Sequence, residues 1–314
     1  MLEVFDRLVN DGVDFRITLS LSPVLVEMFN DSLLRDRCLR YLNNLIELSE
    51  REITRTRGDI SFEPLAKMYN RRFRRIKSLY EGSFKKDLVS AFRDLQETGK
   101  VELITSAATH AYLPALSLYP QAVKAQLKVA IETHMKNFGR KPEGIWLPEC
   151  GYFPGLDDLL RQEGIRFFFL ESHGVLNGNP SPRYEVYRPV ICPSDVLAFG
   201  RDAESSREVW SSIEGYPGDP EYRDFYRDIG FDLPADYLRH HLHPEDLRTY
   251  TGIKYYRITG KTTEKLPYIR EKAVKKAERH AEDFIAARMS QINFLNHFSF
   301  REPVITSPYD FELF

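Results

Sequence analysis

Polar side chains follow five of the segments that the sequence predicts as β-strands. In parallel α/β barrels the active site lies at the carboxyl ends of the strands, so catalytic residues are expected at these positions. Any one of them could cap a helix or carry a loop charge, whereas five together favour a site. The residues are His110, Glu149, Glu171 with His173, Arg201 with Asp202, and Asp310 with Glu312.

Two of these carboxylates, Glu149 and Asp310, have the chemistry that cleavage of a glycosidic bond with retention requires. One carboxylate attacks the anomeric carbon, while the other protonates the leaving oxygen and later deprotonates the acceptor. The two carboxyl groups are therefore expected face to face, about 5–5.5 Å apart. The acid needs a raised pKa, which aromatic surroundings help to provide. The aromatic neighbours in sequence are Trp146 and Tyr152 for Glu149, and Tyr309 and Phe311 for Asp310.

A metal site is the competing use of histidines and carboxylates, and the sequence does not favour one. No HExxH or close HxH pair follows a predicted strand, and the histidine cluster at 240–243 lies in a charged loop typical of solvated surface. The cysteines Cys38, Cys150 and Cys192 are widely spaced and form no CxxC pair. No glycine-rich phosphate-binding motif follows a strand. We therefore expect neither a metal nor an organic cofactor.

Alternating helical and strand-like segments predict a parallel α/β architecture, either a barrel or a doubly wound sheet. The strand at 166–170 is a continuous apolar run, typical of a strand buried on both faces. Long segments rich in proline, glycine, tyrosine and charge, 180–193 and 215–246, are predicted as loops that carry function. The predicted strands are 15–19, 101–106, 144–148, 166–170, 195–199, 252–258 and 303–305, and the predicted helices are 2–10, 31–57, 64–98, 121–138, 156–163 and 266–298.

Composition excludes several classes of protein. The 314 residues are 42% hydrophobic, and a formal net charge of −2 gives no general attraction to nucleic acid or to an anionic membrane. No apolar run reaches about 18 residues, and the first residues predict an amphipathic helix rather than a signal peptide, so a cytoplasmic protein is expected. The basic run at 71–75 is interpreted as a solvated helix face. Aromatic residues make up 13%, which suits sugar stacking, although a large core explains this composition better.

Three motifs resemble those of glycoside hydrolase family 57. WLPECGY at 146–152 resembles the family's nucleophile motif, and ELITSAATHAYLP at 102–114 resembles its histidine-bearing motif. SPYDFELF at 307–314 resembles the beginning of the motif that carries the acid/base aspartate. The segments 198–234 and 252–260 are similar to the branching-enzyme-like subgroup of the family. The resemblance covers nearly the whole chain.

The resemblance implies a fold, a mechanism and a set of site residues. The fold is α/β, an incomplete (β/α)7 barrel of irregular TIM-like form with long helical and loop insertions. The mechanism is retaining and uses no metal or organic cofactor. Glu149 would be the nucleophile and Asp310 the acid/base, acting on an α-glucan such as amylose or glycogen. The residues implied to bind substrate are His110, Arg201, Trp146, Trp210 and Tyr216, with Glu312 supporting the site.

Residues 1–314 are predicted to form a single catalytic barrel domain with a helical insertion over 31–98. Members of the family begin with a strand that carries an HxPY-like motif, and they continue past ELF into a GHWW-like segment and a helical domain. Neither motif is matched here. We therefore expect a chain truncated at both ends, with unpaired edges where the first strand would lie. The 314-residue polypeptide alone is expected to be weakly active or inactive.

Four functions are compatible with some or all of these features, and α-1,4-glucan branching is the one predicted. In branching, a glucosyl-enzyme passes its glucan to the 6-hydroxyl of another chain, and positioning of the acceptor makes transfer faster than hydrolysis. The alternatives within the family are hydrolysis by an α-amylase and 4-α-glucan transfer. A non-catalytic glucan-binding remnant is the third possibility. The fourth, a polysaccharide deacetylase-like metal hydrolase, needs an Asp/His/His triad that these residues do not assemble.

Overall fold

The computed structural model describes residues 1–241, 247–298 and 302–310, apart from the side chain at position 240. Contacts between residues divide the chain into two compact units. The first unit comprises Met1–Ser32, Asp87–Ser206 and Arg288–Phe314, and the second comprises Leu33–Lys86 and Arg207–Ala287. The second unit thus combines most of the segment predicted as an insertion with a later part of the chain. The prediction of a single domain with an insertion at 31–98 stays a prediction.

A mostly parallel sheet forms the frame of the first unit. The strands follow the order β1-β2-β3-β4-β6-β5 across the sheet. All neighbouring strands run parallel except β5, which pairs antiparallel with β6. The carboxyl ends of β1, β2, β3, β4 and β6 therefore share one edge. The strands are β1 (Ile17–Ser20), β2 (Val101–Ser106), β3 (Gly144–Trp146), β4 (Phe167–Leu170), β5 (Val190–Ile191) and β6 (Leu197–Gly200).

Helices follow the strands and supply most of the apolar packing. None of the helices within the described ranges is long and apolar enough to cross a membrane. The helices are α1 (Leu2–Asn10), α2 (Pro23–Asn30), α3 (Ser32–Arg55), α4 (Phe62–Ser78), α5 (Leu88–Glu97), α6 (Pro120–Phe138), α7 (Leu156–Gln162), α8 (Ser172–Leu176), α9 (Ala203–Trp210), α10 (Ile229–Asp232), α11 (Ala235–Leu238) and α12 (Arg270–His297).

The side chains of β3, β4 and β6 alternate between two faces of the sheet. Ile145, Phe168 and Ala198 are at most 4% exposed and belong to a hydrophobic core that includes leucines of α6 and α7. Burying a side chain such as Phe168 stabilises the fold by about 1.5–3 kcal/mol. The opposite face is half-buried and carries an aromatic wall, whose contacting rings have centroids 5.8–5.9 Å apart. The aromatic wall consists of Trp146, Phe167, Phe169 and Phe199.

The second unit has its own core, formed by α3, α4 and residues from the segment 229–268. A charged residue lies within it: Glu52 of α3 is 0% exposed. Both carboxylate oxygens of Glu52 accept hydrogen bonds from Arg55, at 2.8 and 2.6 Å, and the hydroxyl of Tyr255 donates to it at 2.8 Å. Because each oxygen is satisfied, this buried charge is tolerated.

The structure differs from the predicted elements in four places. The predicted helix 64–98 is two helices, since α4 gives way to a π-helical turn at Leu79–Ser83 and Asp87 then caps α5 by accepting from the backbone N–H of Ser90. The strand predicted at 252–258 is absent from the described residues, where only isolated bridges at Tyr256 and Arg257 occur. The segment 303–305 is not a strand there either. Strand β5 lies in a stretch that was predicted as loop.

Candidate active site

His110 lies just beyond the carboxyl end of β2. The chain turns after Ser106, and His110 adopts a left-handed backbone conformation with φ of 55°. Its backbone N–H donates to the carbonyl of Ala107 at 2.9 Å, and its Nδ1 lies 3.2 Å from the hydroxyl of Ser106. The backbone bond closes the turn and the contact with Ser106 orients the imidazole, while the residue stays exposed. The structure therefore presents His110 at the edge where the sequence predicted it.

Glu149 occupies a strained turn directly after β3. The turn Pro148–Cys150 is closed by hydrogen bonds from the N–H of Cys150 to Leu147 and from the N–H of Gly151 to Pro148, at 2.9 and 3.0 Å. Within it Glu149 has φ of 53° and ψ of 28°, and Cys150 has φ of 51°. Left-handed conformations cost about 1–2 kcal/mol for residues with a Cβ. Such strain is typical of functional sites, and here it exposes the Glu149 side chain.

Glu171 and Arg201 form an ion pair beside this turn. Glu171 follows β4 and Arg201 follows β6, and Arg201 Nε lies 3.2 Å from Glu171 Oε1. The guanidinium carbon of Arg201 lies 5.9 Å from the centre of the Trp146 ring, within the range of a cation–π contact. The Glu171 carboxylate also acts on the thiol of Cys150, whose pKa it raises. Residues that follow β3, β4 and β6 are thus joined into one group.

The electrostatics of this group keep Cys150 uncharged. Burial and, to a smaller extent, the neighbouring carboxylate of Glu171 raise the pKa of the Cys150 thiol to about 11, against the opposing effect of Arg201. Glu149 also contributes to this rise, so its charge reaches the same thiol. Cys150 is therefore a neutral thiol at neutral pH, and it is not suited to attack a substrate as a thiolate.

Asp310 reaches this edge of the sheet through the segment 303–309. The carbonyl of Thr306 accepts from the N–H of Asp202 at 2.8 Å, immediately after β6. The hydroxyls of Ser307 and Ser205 lie 2.6 Å apart, and the hydroxyl of Tyr309 donates to the carbonyl of Ser205 at 3.2 Å. These bonds attach the segment to the connection between β6 and α9. Asp310 is the next residue and is exposed.

Asp202 supports this attachment point through hydrogen bonds to two helices. Its side chain is only 1% exposed and caps α9 by accepting from the N–H of Ser205 at 2.7 Å. Its second oxygen accepts from the side-chain amide of Gln291 in α12 at 2.9 Å. The sequence singled out Asp202 as a strand-end residue. In the structure its contacts are those of a buried cap that supports the Asp310 segment.

The first unit therefore brings most of the predicted residues to one sheet edge, in the spatial order His110, Glu149, Glu171, Arg201, with the Asp310 segment attached after β6. The face-to-face arrangement of Glu149 and Asp310 stays a prediction. In the described part of the chain, no group of three or more histidine, cysteine, aspartate or glutamate side chains is placed to hold a metal ion. Glu312 and His243 lie outside the described residues.

Two further predicted residues, Trp210 and Tyr216, belong to the second unit. Trp210 ends α9 and is 66% exposed. Tyr216 stacks on His280 with ring centroids 4.5 Å apart, and its hydroxyl donates to Asp283 at 2.8 Å. It lines a cleft of about 450 Å³ together with these two residues. The structure thus gives Tyr216 a fixed position, and its predicted contact with an acceptor sugar stays a prediction.

The sequence did not reveal that Tyr112 packs on the turn of Glu149. A Cβ at Gly151 would come within 2.5 Å of Tyr112 Cε2, so the ring covers the backbone at this glycine. Gly151, two residues after Glu149, was a visible signal for such a close approach. The partner ring was not identifiable without the fold.

The chain has close relatives among known proteins. The family model "Glycosyl hydrolase family 57" matches residues 2–304. A curated relative is the 1,4-alpha-glucan branching enzyme TK1436 of Thermococcus kodakarensis, which is 32% identical over 343 residues, with 100% of this chain and 47% of that protein covered. The chain therefore spans about half the length of this relative.

Solved structures give the same assignment. The alpha-amylase AmyC from Thermotoga maritima is 42% identical, with a TM-score of 0.93 and coverage of 100% of this chain and 60% of that one. The GH57-type branching enzyme from Pyrococcus horikoshii is 32% identical, with a TM-score of 0.84 and coverage of 100% and 56%. These similarities confirm the predicted α/β fold of the incomplete (β/α)7 type. The chain belongs to glycosyl hydrolase family 57.

Proposed function

We propose that this chain forms the catalytic barrel of a retaining enzyme that acts on α-1,4-glucans and transfers them to form α-1,6 branches. The observation that carries the proposal is the exposed Glu149 on its strained turn at the carboxyl end of β3, in a sheet whose same edge receives the Asp310 segment. The similarity to branching enzymes along the whole chain supports the choice of reaction.

In the proposed reaction, Glu149 attacks the anomeric carbon of the donor glucan and forms a covalent glucosyl-enzyme. The bond between that carbon and the leaving oxygen breaks, and Asp310 donates its proton to the oxygen. The Asp310 carboxylate then removes the proton from the 6-hydroxyl of an acceptor glucan, whose oxygen displaces Glu149. Two inversions at the same carbon give net retention.

The surrounding residues have roles that fit this chemistry. His110, held by Ser106, donates or accepts a hydrogen bond at the sugar being cleaved. Trp146 of the aromatic wall, with Arg201 over it, offers a flat surface and a charge to sugar rings and hydroxyls. The roles that the family resemblance gives to Trp210, Tyr216 and Glu312 stay predictions.

The nucleophile assignment is tested by chemical rescue in the full-length protein. Glu149→Ala should lower kcat by at least about 1,000-fold, since the covalent intermediate is lost. Added azide should restore turnover of an activated α-glucosyl donor and give the β-glycosyl azide. Glu185→Ala is the matched control, because Glu185 is also exposed and has φ of 51°. Retained activity in Glu149→Ala would refute the proposal.

Hydrolysis is the second candidate, and one observation favours it. The alpha-amylase AmyC shares 42% identity with this chain, compared with 32% for the branching enzymes described above. Product analysis on amylose separates the two reactions. New α-1,6 linkages with a fall in iodine staining support branching, whereas a proportional rise in reducing ends supports hydrolysis. Binding of glycogen without either product would indicate a non-catalytic glucan-binding protein.

A further inference from the structure

The register of the sheet brings Glu171 and Arg201 together. Leu170 of β4 and Gly200 of β6 are register partners, and the next residues along the two strands are Glu171 and Arg201. The N–H of Arg201 donates to the carbonyl of Leu170 at 2.8 Å, which extends the pairing by one residue. Opposite charges on adjacent parallel strands then meet at 3.2 Å. The ion pair is thus fixed by the backbone rather than by a mobile loop.

The pair also connects to the turn of Glu149. Arg201 lies over Trp146, the last residue of β3, and the Glu171 carboxylate raises the pKa of the thiol of Cys150, the residue after Glu149. The Arg201 and Glu171 side chains are 28% and 36% exposed, so water screens them less than a surface pair. The charges of Glu171, Arg201 and Glu149 all act on the same Cys150 thiol. Their fields therefore overlap at the turn.

We propose that Glu171 is a positioning residue, which holds the Arg201 guanidinium over Trp146 and offsets its charge beside Glu149. The inference rests on the proposed role of Glu149 as nucleophile. Glu171 does not itself react with the sugar. It fixes the cation that lines the sugar site, and it determines how much positive charge the nucleophile experiences.

This arrangement has an electrostatic consequence with a definite sign. Removing only the charge of Glu171 leaves an unbalanced cation, which favours the ionised nucleophile. Removing only the charge of Arg201 leaves a second carboxylate, which disfavours the ionised nucleophile. Removing both restores the balance. The other titratable groups after the neighbouring strands are His110, His173, the neutral Cys150 thiol and the buried cap Asp202, with Asp310 on its attached segment.

A matched control pair lies at the opposite edge of the same sheet. Glu143 precedes β3 and Arg166 precedes β4, and Arg166 Nη1 lies 3.3 Å from Glu143 Oε2. This pair has nearly the same separation as Glu171 and Arg201 but is 59% and 67% exposed and lies away from the site edge. Neutralising it tests whether loss of any ion pair on this sheet produces the same effect.

The experiment measures kcat/KM against pH for the complete protein and for Glu171→Gln, Arg201→Gln and the double variant. The acid limb should move to lower pH in Glu171→Gln and to higher pH in Arg201→Gln, by a few tenths of a pH unit or more. The double variant should return towards the original profile. Each single variant should also lose about tenfold in kcat/KM. In Glu171→Gln the guanidinium loses the partner that positions it, and in Arg201→Gln the positive charge is lost. Glu143→Gln and Arg166→Gln should leave both quantities unchanged.

A conservative variant separates positioning from charge. Glu171→Asp keeps the negative charge but shortens the side chain, so kcat/KM should fall while the acid limb stays in place. Glu171→Asp also provides a test of the inference if Glu171→Gln does not fold. Acid limbs that move in the same direction in both single variants, or by no more than in the control variants, would overturn the inference. Activity that survives in Glu149→Ala refutes the proposed function instead, so the two failures are distinguishable.

Discussion

The ring of Tyr112 lies against the backbone of Gly151, two residues after the proposed nucleophile. A Cβ built at Gly151 would come within 2.5 Å of Tyr112 Cε2 and 2.9 Å of Pro114 Cδ. The loop after β2, which also carries His110, is thereby packed onto the turn after β3. The loop after β2 and the turn after β3 are therefore in direct contact, because Gly151 has no side chain that would separate them.

Gly151→Ala should therefore impair activity more than stability. The added methyl group displaces Tyr112 or the turn, and small misplacements at a catalytic residue cost about tenfold or more in rate. The exposed ring of Tyr112 has room to move, so the melting temperature should change little. Gly82→Ala is the control, since a Cβ there meets nothing within 4 Å. The double variant Gly151→Ala/Tyr112→Ala should accommodate the methyl group, because the ring that it displaces is removed. A fall in activity in Gly151→Ala no larger than in Gly82→Ala would contradict the prediction.

Replacing Glu149 should raise stability while abolishing activity. Asparagine adopts the left-handed conformation more readily than glutamate, so Glu149→Asn should increase the free energy of unfolding by about 0.5–1 kcal/mol. Chemical denaturation measures this difference. Glu185→Asn, at φ of 51°, should give a similar gain with full activity. A loss of stability in Glu149→Asn would show that the carboxylate, not the backbone, dominates at this turn.

His134 in α6 should make the first unit sensitive to acid. The side chain is 2% exposed, neither ring nitrogen has a hydrogen-bond partner among the described residues, and the ring contacts Phe138. Burial lowers its pKa from 6.5 to about 4. Because the unfolded state takes up the proton first, stability is lost as the pH falls from about 6.5 to about 4. Linkage limits this loss to about 3 kcal/mol.

His134→Leu should remove this part of the acid dependence. The check is the free energy of unfolding at pH 7.5 and pH 4.5, where the difference should be smaller in the variant. His173→Leu provides the comparison, since His173 is exposed on α8. Equal pH dependence in the original protein and in His134→Leu would rule out this role of His134.

Two glutamates on α3 should differ sharply in their contribution to stability. Glu52→Ala leaves the hydroxyl of Tyr255 and the guanidinium of Arg55 without their buried acceptor, and should cost about 3–5 kcal/mol. Glu50 pairs with Arg74 on the surface, so Glu50→Ala should cost less than about 1 kcal/mol. Tyr255→Phe should cost an intermediate amount, about 1–2 kcal/mol. Equilibrium unfolding monitored in the second unit gives these values, and similar losses for Glu50→Ala and Glu52→Ala would contradict the structural argument.

The sequence predicted the buried strands and the residues that follow them, because continuous apolar runs and strand-end polar residues are local signals. It did not predict the break between α4 and α5, since the apolar spacing continues through Gly82 while the interruption depends on the cap at Asp87. It also missed β5, a two-residue strand whose pairing with β6 is a long-range choice.

The candidate site was likewise predictable from the sequence only in part. Glu149, His110 and Arg201 were identifiable from residue type and position after strands. The Glu171–Arg201 pair was not identifiable, because 29 residues separate the end of β4 from the end of β6 in the sequence. In addition, β4 and β6 are neighbours only because β5 lies at the outer edge of the sheet. The tie between Thr306 and Asp202 depends on contacts between segments about 100 residues apart, which no local pattern encodes.

The late arrival of the 303–310 segment has a consequence for protein synthesis. Asp310 is translated about 160 residues after Glu149, which at about 5–20 residues per second takes roughly 10–30 s. All the strands of the sheet leave the ribosome before the segment 303–310, which docks beside Asp202. If the two carboxylates act as proposed, a nascent chain carries a nucleophile without its proton donor. Sugar chemistry can then begin only once Asp310 has emerged, when the strands of the sheet have already been synthesised.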